Sequence, residues 1–148
     1  MPLPISLTAA AVAALLNIWL GWRVGQVRLS EKVSLGDGGN QRVVCRMRAH
    51  ANFTEYTPFV LILIALLELA GANQTALWAV MAIYMLARIA HALGMDADSP
   101  GQLRRIGTIV TMVTLLGLAG YAVYTTQTVA AAPTTITPMQ DIEDIPAG

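Results

Sequence analysis

Four long apolar stretches run through this chain, and they constrain its fold more than any other feature. The first extends from Leu3 to Trp22 without a charge, interrupted only by Asn17. The second starts near Arg42 in a polar, charged turn and is fully apolar from Tyr56 to Leu67. Glu68 stands near its far end, and Gly71 to Gln74 close it. The third covers Thr75 to Leu93 and the fourth Ile106 to Val129. A helix rises about 1.5 Å per residue, so about 20 residues cross the hydrocarbon of a bilayer. Stretches one, three and four have about that length. The second is longer, so one or two of its turns are expected to project beyond the hydrocarbon. Helices satisfy their backbone internally, as lipid requires. A β-barrel would need alternating apolar and polar residues, and the runs here are solid. A cleaved signal peptide would carry a basic start, and Met1 to Leu20 has no Lys or Arg, so the first stretch reads as a retained helix.

Composition agrees. Of 148 residues, 55% are hydrophobic and 12% charged, well below the share of about 25% usual in soluble domains. Nine Lys and Arg balance nine Asp and Glu, which leaves no net positive field for a nucleic-acid partner. The single cysteine, Cys45, excludes an internal disulfide and a thiolate metal cluster, and it reads as a packing residue. The expectation is an all-α integral membrane four-helix bundle over residues 1–129. A tail over residues 130–148 follows, with Pro133, Pro138 and Pro146 beside Asp141, Glu143 and Asp144. It is too polar and interrupted to fold alone and is expected to be mobile.

Charge placement supplies a topology. Every Lys and Arg lies in or beside the loop joining stretches one and two or the loop joining three and four. By the positive-inside rule both basic loops are cytoplasmic, and the N- and C-termini and the short loop at Gly71 to Gln74 face outward. The first loop, about Val27 to Gln41, contains Gly36, Asp37, Gly38, Gly39 and Asn40. This is turn chemistry rather than a phosphate-binding loop, because no Lys-Ser or Lys-Thr pair follows and no strand precedes.

Charges inside membrane segments are costly, so they are where function is sought. On helix two, Arg48, Asn52 and Glu55 share a narrow stripe with Phe59 and Ile62, while Arg46 and His50 fall on nearly the opposite face. Two polar faces on one helix cannot both meet lipid. Arg88 and His91 are three residues apart near the end of helix three, and Arg104 and Arg105 open helix four. These residues gather at one depth, at the cytoplasmic end. Guanidinium groups pair carboxylates bidentately and Glu55 can pair an amine, so a small zwitterionic anion suits the cluster. From spacing alone, a structural Arg48–Glu55 pair is an equal reading.

Arg23, Arg28 and Lys32 read as interfacial anchors on anionic lipid, and Arg46 and Arg105 admit the same reading. Asn17 reads as a helix–helix hydrogen-bonding residue. Glu68 reads as solvated, and Trp19, Trp22 and Trp78 as interface anchors. Gly107, Gly117 and Gly120 read as close-packing positions. His50 and His91 are too few for a metal site, and none is expected.

The run from Arg46 to Phe59 resembles the signature of the MAPEG family, the membrane-associated proteins in eicosanoid and glutathione metabolism. Its core pattern falls on Arg48, His50, Asn52, Glu55, Tyr56 and Pro58. Arg88 with His91, and Arg104 to Gly107, also look like family positions, and Val33 to Asn40 looks like the small bacterial branch. The resemblance spans about Leu7 to Thr126. It implies a homotrimer of four-helix bundles in the inner membrane, with glutathione as co-substrate between subunits near the cytoplasmic face. In catalytic relatives Arg, Asn and Glu on helix two hold the tripeptide, which carries over to Arg48, Asn52 and Glu55, with His50 and Tyr56 beside them. Arg88, His91 and Arg105 are carried over as further ligand positions. Arg104 resembles the arginine that stabilises the glutathione thiolate. Ala51, Met95 and Thr108 stand where various relatives carry arginine or tyrosine.

The activity so implied is a glutathione-dependent transferase or peroxidase acting on lipophilic electrophiles, with membrane lipid around it. A free thiol has a pKa of about 8.5, so a guanidinium beside it raises the thiolate fraction, and the thiolate is the nucleophile. The alternative is a non-enzymatic trimeric scaffold, or a binder of another small anion or lipid head group. A small multidrug transporter would carry an acidic residue within helix one, and Leu3 to Trp22 has none.

Overall fold

The computed structural model describes residues 2–96 and 101–130; of the expected tail over residues 130–148, residue 130 ends the fourth helix and residues 131–148 lie outside the described residues. Among the described residues there are four helices and no strand: α1 (Pro4–Glu31), α2 (Gln41–Leu69), α3 (Gln74–Gly94) and α4 (Gln102–Ala130). All four are long and apolar enough to cross a membrane.

Local chemistry sets the helix ends. Pro4 opens α1 in the first turn, where its missing N–H costs nothing. Lys32 ends α1 in the left-handed region at φ 58°, and its N–H returns to the last turn. Asn40 caps α2 by accepting from the N–H of Arg42 at 2.9 Å and of Val43 at 3.3 Å. Gly71, at φ 76°, turns the chain out of α2, and Asn73 caps α3 by accepting from Ala76 N–H at 3.0 Å. The first loop is therefore shorter than expected. Helix α1 continues past Val27 to Glu31, because Val27 packs inward and the glycines begin only at Gly36. With 28 residues, α1 is about 42 Å long, and its last turns extend beyond the roughly 30 Å of hydrocarbon.

The bundle packs as two tight pairs, α1 on α2 and α3 on α4, with α2 also touching α3 and α4. Its core holds Ile5, Ala9, Val60, Ile64, Leu77, Tyr84 and Leu118. The outer surface is the reverse of a soluble protein's: Leu15, Leu86, Ile109 and Leu116 are all more than half exposed. Such a surface is matched to lipid.

Several sequence expectations change here. Glu68 is buried, not solvated: it accepts from the N–H groups of Ile5 at 2.9 Å and Ser6 at 2.8 Å, and from Ser6 Oγ at 2.5 Å. Leu3, at the N-cap of α1, has no capping side chain, so a carboxylate from α2 satisfies those donors and meets the positive end of the helix dipole. Arg23 is not a lipid-facing anchor. It is 6% exposed, stacks its guanidinium over Trp19 at 4.6 Å, bonds the Ala92 carbonyl at 3.4 Å and is ion-paired with Asp96. Arg46 joins the same carboxylate at 3.2 Å and bonds the Arg23 carbonyl at 3.0 Å. Asp96 thus ties α1, α2 and the end of α3 together. Arg28 bends back to Ser34 O at 3.2 Å and Met47 Sδ at 3.3 Å. Gly117 and Gly120 do not pack closely within the chain, because a Cβ on either would meet nothing within 4 Å. Gly117 lines an apolar groove of about 510 Å³ between α3 and α4. Gly107 is a close-packing position as expected, and Gly94 is a second one that sequence did not single out.

Candidate functional site

The start of α2, the end of α3 and the start of α4 meet at one end of the bundle, the end that carries the basic residues. Arg88 lies deepest, at 2% exposure. Its Nη2 donates to Asn52 Oδ1 at 2.8 Å and its Nη1 to Thr111 Oγ1 at 3.1 Å, and it sits 5.9 Å from the Phe53 ring centroid. Its Nε is buried with no partner, and among the described residues no carboxylate pairs it. One guanidinium therefore joins α2, α3 and α4 and keeps its charge uncompensated. Thr111 reaches it because its own hydroxyl bonds back to Gly107 O at 2.8 Å, one turn earlier.

His91, one turn beyond Arg88, is also buried. Its Nδ1 lies 3.3 Å from the Arg104 carbonyl and 3.3 Å from Thr108 Oγ1. The glycines allow this: a Cβ on Gly107 would lie 2.5 Å from His91 Cβ and 2.7 Å from Ala87 O.

The two faces of α2 separate as their spacing predicts. Arg46 and His50 face α1 of the same chain, and His50 Nε2 is 2.8 Å from Asn17 Oδ1. Arg48 and Glu55 are on the outward stripe with Phe59 and Ile62, and both are exposed. They do not pair with each other or with another charge among the described residues, which removes the structural Arg48–Glu55 pair within one chain. Arg104 and Arg105 are also exposed and without an ion pair there, and Tyr56 is half-buried.

The sequence-derived cluster thus divides into three. Asn52, Arg88, His91 and the Arg104 backbone line an inner seam as two separate hydrogen-bonded sets, Asn52 with Arg88 and His91 with the Arg104 carbonyl. Arg48, Glu55, Tyr56 and the Arg104 and Arg105 side chains lie toward the surface at the same end. His50 belongs to the α1 contact. Sequence reading missed Thr111 and the backbone role of Thr108; a threonine one turn after Gly107, within reach of an intramembrane arginine, was the available signal. Among the described residues no three His, Cys, Asp or Glu side chains converge as a metal site.

Four membrane-length helices with a lipid-matched exterior and an interior arginine seam define a multi-pass integral membrane protein of the four-helix class. The chain belongs to the MAPEG family, whose family model matches residues 6–124. Among curated proteins it is similar to the inner membrane protein YecN of Escherichia coli (strain K12), at 32% identity over 90 residues, or 61% of this chain and 69% of that protein. YecN of Escherichia coli O6:H1 (strain CFT073) matches to the same extent. No solved structure matches.

Proposed function

We propose that this chain is a glutathione-dependent transferase or peroxidase of the inner membrane, working as a homotrimer on lipophilic electrophiles. Family membership supports a membrane role related to glutathione, and similarity to an inner membrane protein supports the compartment. The basic loops are placed on the cytoplasmic side and both termini outside, from the charge distribution. Residues 1–129 act as one membrane unit.

One observation carries the reading: four charges at this end of the bundle, Arg48, Glu55, Arg88 and Arg104, have no charged partner among the described residues. Arg48, Glu55 and Arg104 are exposed without ion pairs among the described residues, and Arg88 is buried without a carboxylate. Isolated charges are expensive in such surroundings. A neighbouring subunit that covers the outward stripe and a ligand that carries both carboxylates and an amine would meet the whole set. In this assignment Arg48, with Arg88 and Asn52 behind it, takes ligand carboxylates, and Glu55 takes the amine. Tyr56, His91 and Arg105 border the ligand, and His50 braces α2 through Asn17. Arg104 holds the thiolate.

The test is calorimetry of glutathione with the purified protein in detergent. Binding that Arg48→Ala and Glu55→Ala each abolish is the expected result; absence of binding refutes the reading. A second reading, a trimeric binder of another small anion, is favoured by Met95, which packs against the core, and Thr108, which bonds backbone. Neither side chain is presented to a ligand as a tyrosine would be. Tight binding of another anion without thiol chemistry would select it.

A further inference from the structure

The turn of α4 that carries Arg104 is held against α3 by backbone approach and by His91, and is braced within α4 by Thr108. The backbones touch: a Cβ on Gly94 would lie 3.0 Å from Arg104 Cα, and one on Gly107 would lie 2.5 Å from His91 Cβ. Thr108 Oγ1 donates to the Arg104 carbonyl at 3.0 Å. His91 Nδ1 approaches that carbonyl and the Thr108 hydroxyl, each at 3.3 Å. A carbonyl only accepts, so one proton arrangement satisfies all three groups: Thr108 gives its hydrogen to Arg104 O, and His91 Nδ1–H donates to both oxygens. The Arg104 side chain, by contrast, is exposed and unpaired among the described residues. A long flexible guanidinium has no fixed place of its own, so its aim depends on how firmly its Cα is held.

We propose that Thr108 is a positioning residue: its hydroxyl closes the His91–Arg104 triangle and fixes the first turns of α4 so that the Arg104 guanidinium meets the ligand sulfur. The inference rests on the glutathione reading above. It gives a purpose to a hydroxyl that is turned to the backbone and does not reach out toward a ligand. The thiol proton leaves to solvent, and Thr108 itself neither gains nor loses a bond to the substrate.

The test uses the full chain in lipid nanodiscs, with two readouts on each variant: glutathione affinity by calorimetry, and the ultraviolet absorbance of bound thiolate across pH. Thr108→Val keeps the shape and removes the hydroxyl; Thr108→Ser restores it. Thr108 is exposed, so neither change disturbs the core. Thr108→Val should reduce the thiolate formed at neutral pH by about three- to tenfold, the equivalent of one net hydrogen bond, with affinity at acid pH, where the thiol form binds, within about twofold of the parent. Thr108→Ser should recover the signal. Parent-level thiolate in Thr108→Val, or affinity lost equally at acid pH, where glutathione binds as the thiol, overturns the positioning role alone. A parent protein that binds no glutathione overturns the underlying reading, and the positioning role with it.

Discussion

Replacing Gly107 with alanine adds one methyl group at the tightest α3–α4 contact near Arg88. The new Cβ would lie 2.5 Å from His91 Cβ, 2.7 Å from Ala87 O and 2.9 Å from His91 Cα. Carbon atoms in contact prefer about 3.5–4.0 Å, so the helices must part by about 1 Å. Two of the three atoms are backbone and the third is a Cβ, so no side-chain rotation relieves the clash. Overpacking of this kind costs about 1–3 kcal/mol, and more where the backbone is rigid. The helix propensity of alanine returns about 1 kcal/mol. Parting the helices also stretches the Arg88–Thr111 bond of 3.1 Å and weakens one of two partners of a buried guanidinium, at about 1–3 kcal/mol. The net expectation is a loss of about 2–4 kcal/mol. Gly117→Ala is the control, since its Cβ would meet nothing within 4 Å. Thermal unfolding in one detergent, followed by circular dichroism, should show Gly107→Ala melting well below the parent and Gly117→Ala at or slightly above it. Equal melting of the two variants would refute the argument that the helices are in backbone contact at Gly107.

Other perturbations separate the structural charges from the functional ones. Glu68→Ala should destabilise by about 1–2 kcal/mol, as loss of a helix cap does, and hydrogen exchange should rise first at Ile5 and Ser6; unchanged exchange there would contradict the capping role. Asp96→Asn should cost between the roughly 1 kcal/mol of a surface pair and the 3–5 kcal/mol of a broken buried one, because Arg23 is buried while the carboxylate is one-third exposed; chemical unfolding measures it. Arg88→Met should leave stability unchanged or raise it while glutathione binding is lost, and calorimetry that shows retained binding would exclude Arg88 from the ligand site. Phe59, on the outward stripe, is 62% exposed, so Phe59→Arg should dissociate the proposed trimer in native mass measurement while leaving the helix content intact.

The helices were legible because lipid imposes a simple rule: about 20 apolar residues, all backbone bonds internal. The boundaries at Asn40, Gly71 and Asn73 were legible too, since these residues act on neighbours only a few residues away, whereas the end of α1 at Glu31 was not. The division of α2 into an Arg46/His50 face and an Arg48/Glu55 face followed from helical period alone. The pairings did not. Glu68 finds its donors 62 and 63 residues away, and Arg23 finds Asp96 at a separation of 73. No local pattern marks either pair, so local reading put Glu68 in water and Arg23 at the lipid surface.

The sequence by itself determined the class of this protein: how many helices there are, what surrounds them, and which end holds the charge. Those properties are sums over neighbouring residues, and hydrophobicity and period report them directly. Only the tertiary structure decided which charges are satisfied. Glu68, Arg23 and Arg46 are absorbed by caps and ion pairs across helices, and Arg88 is held by Asn52 and Thr111, whereas Arg48, Glu55 and Arg104 are left facing outward. That distinction depends on helix rotation and crossing to within an ångström or two; around Arg88 and His91 the approach of α4 to α3 at Gly94 and Gly107 sets them.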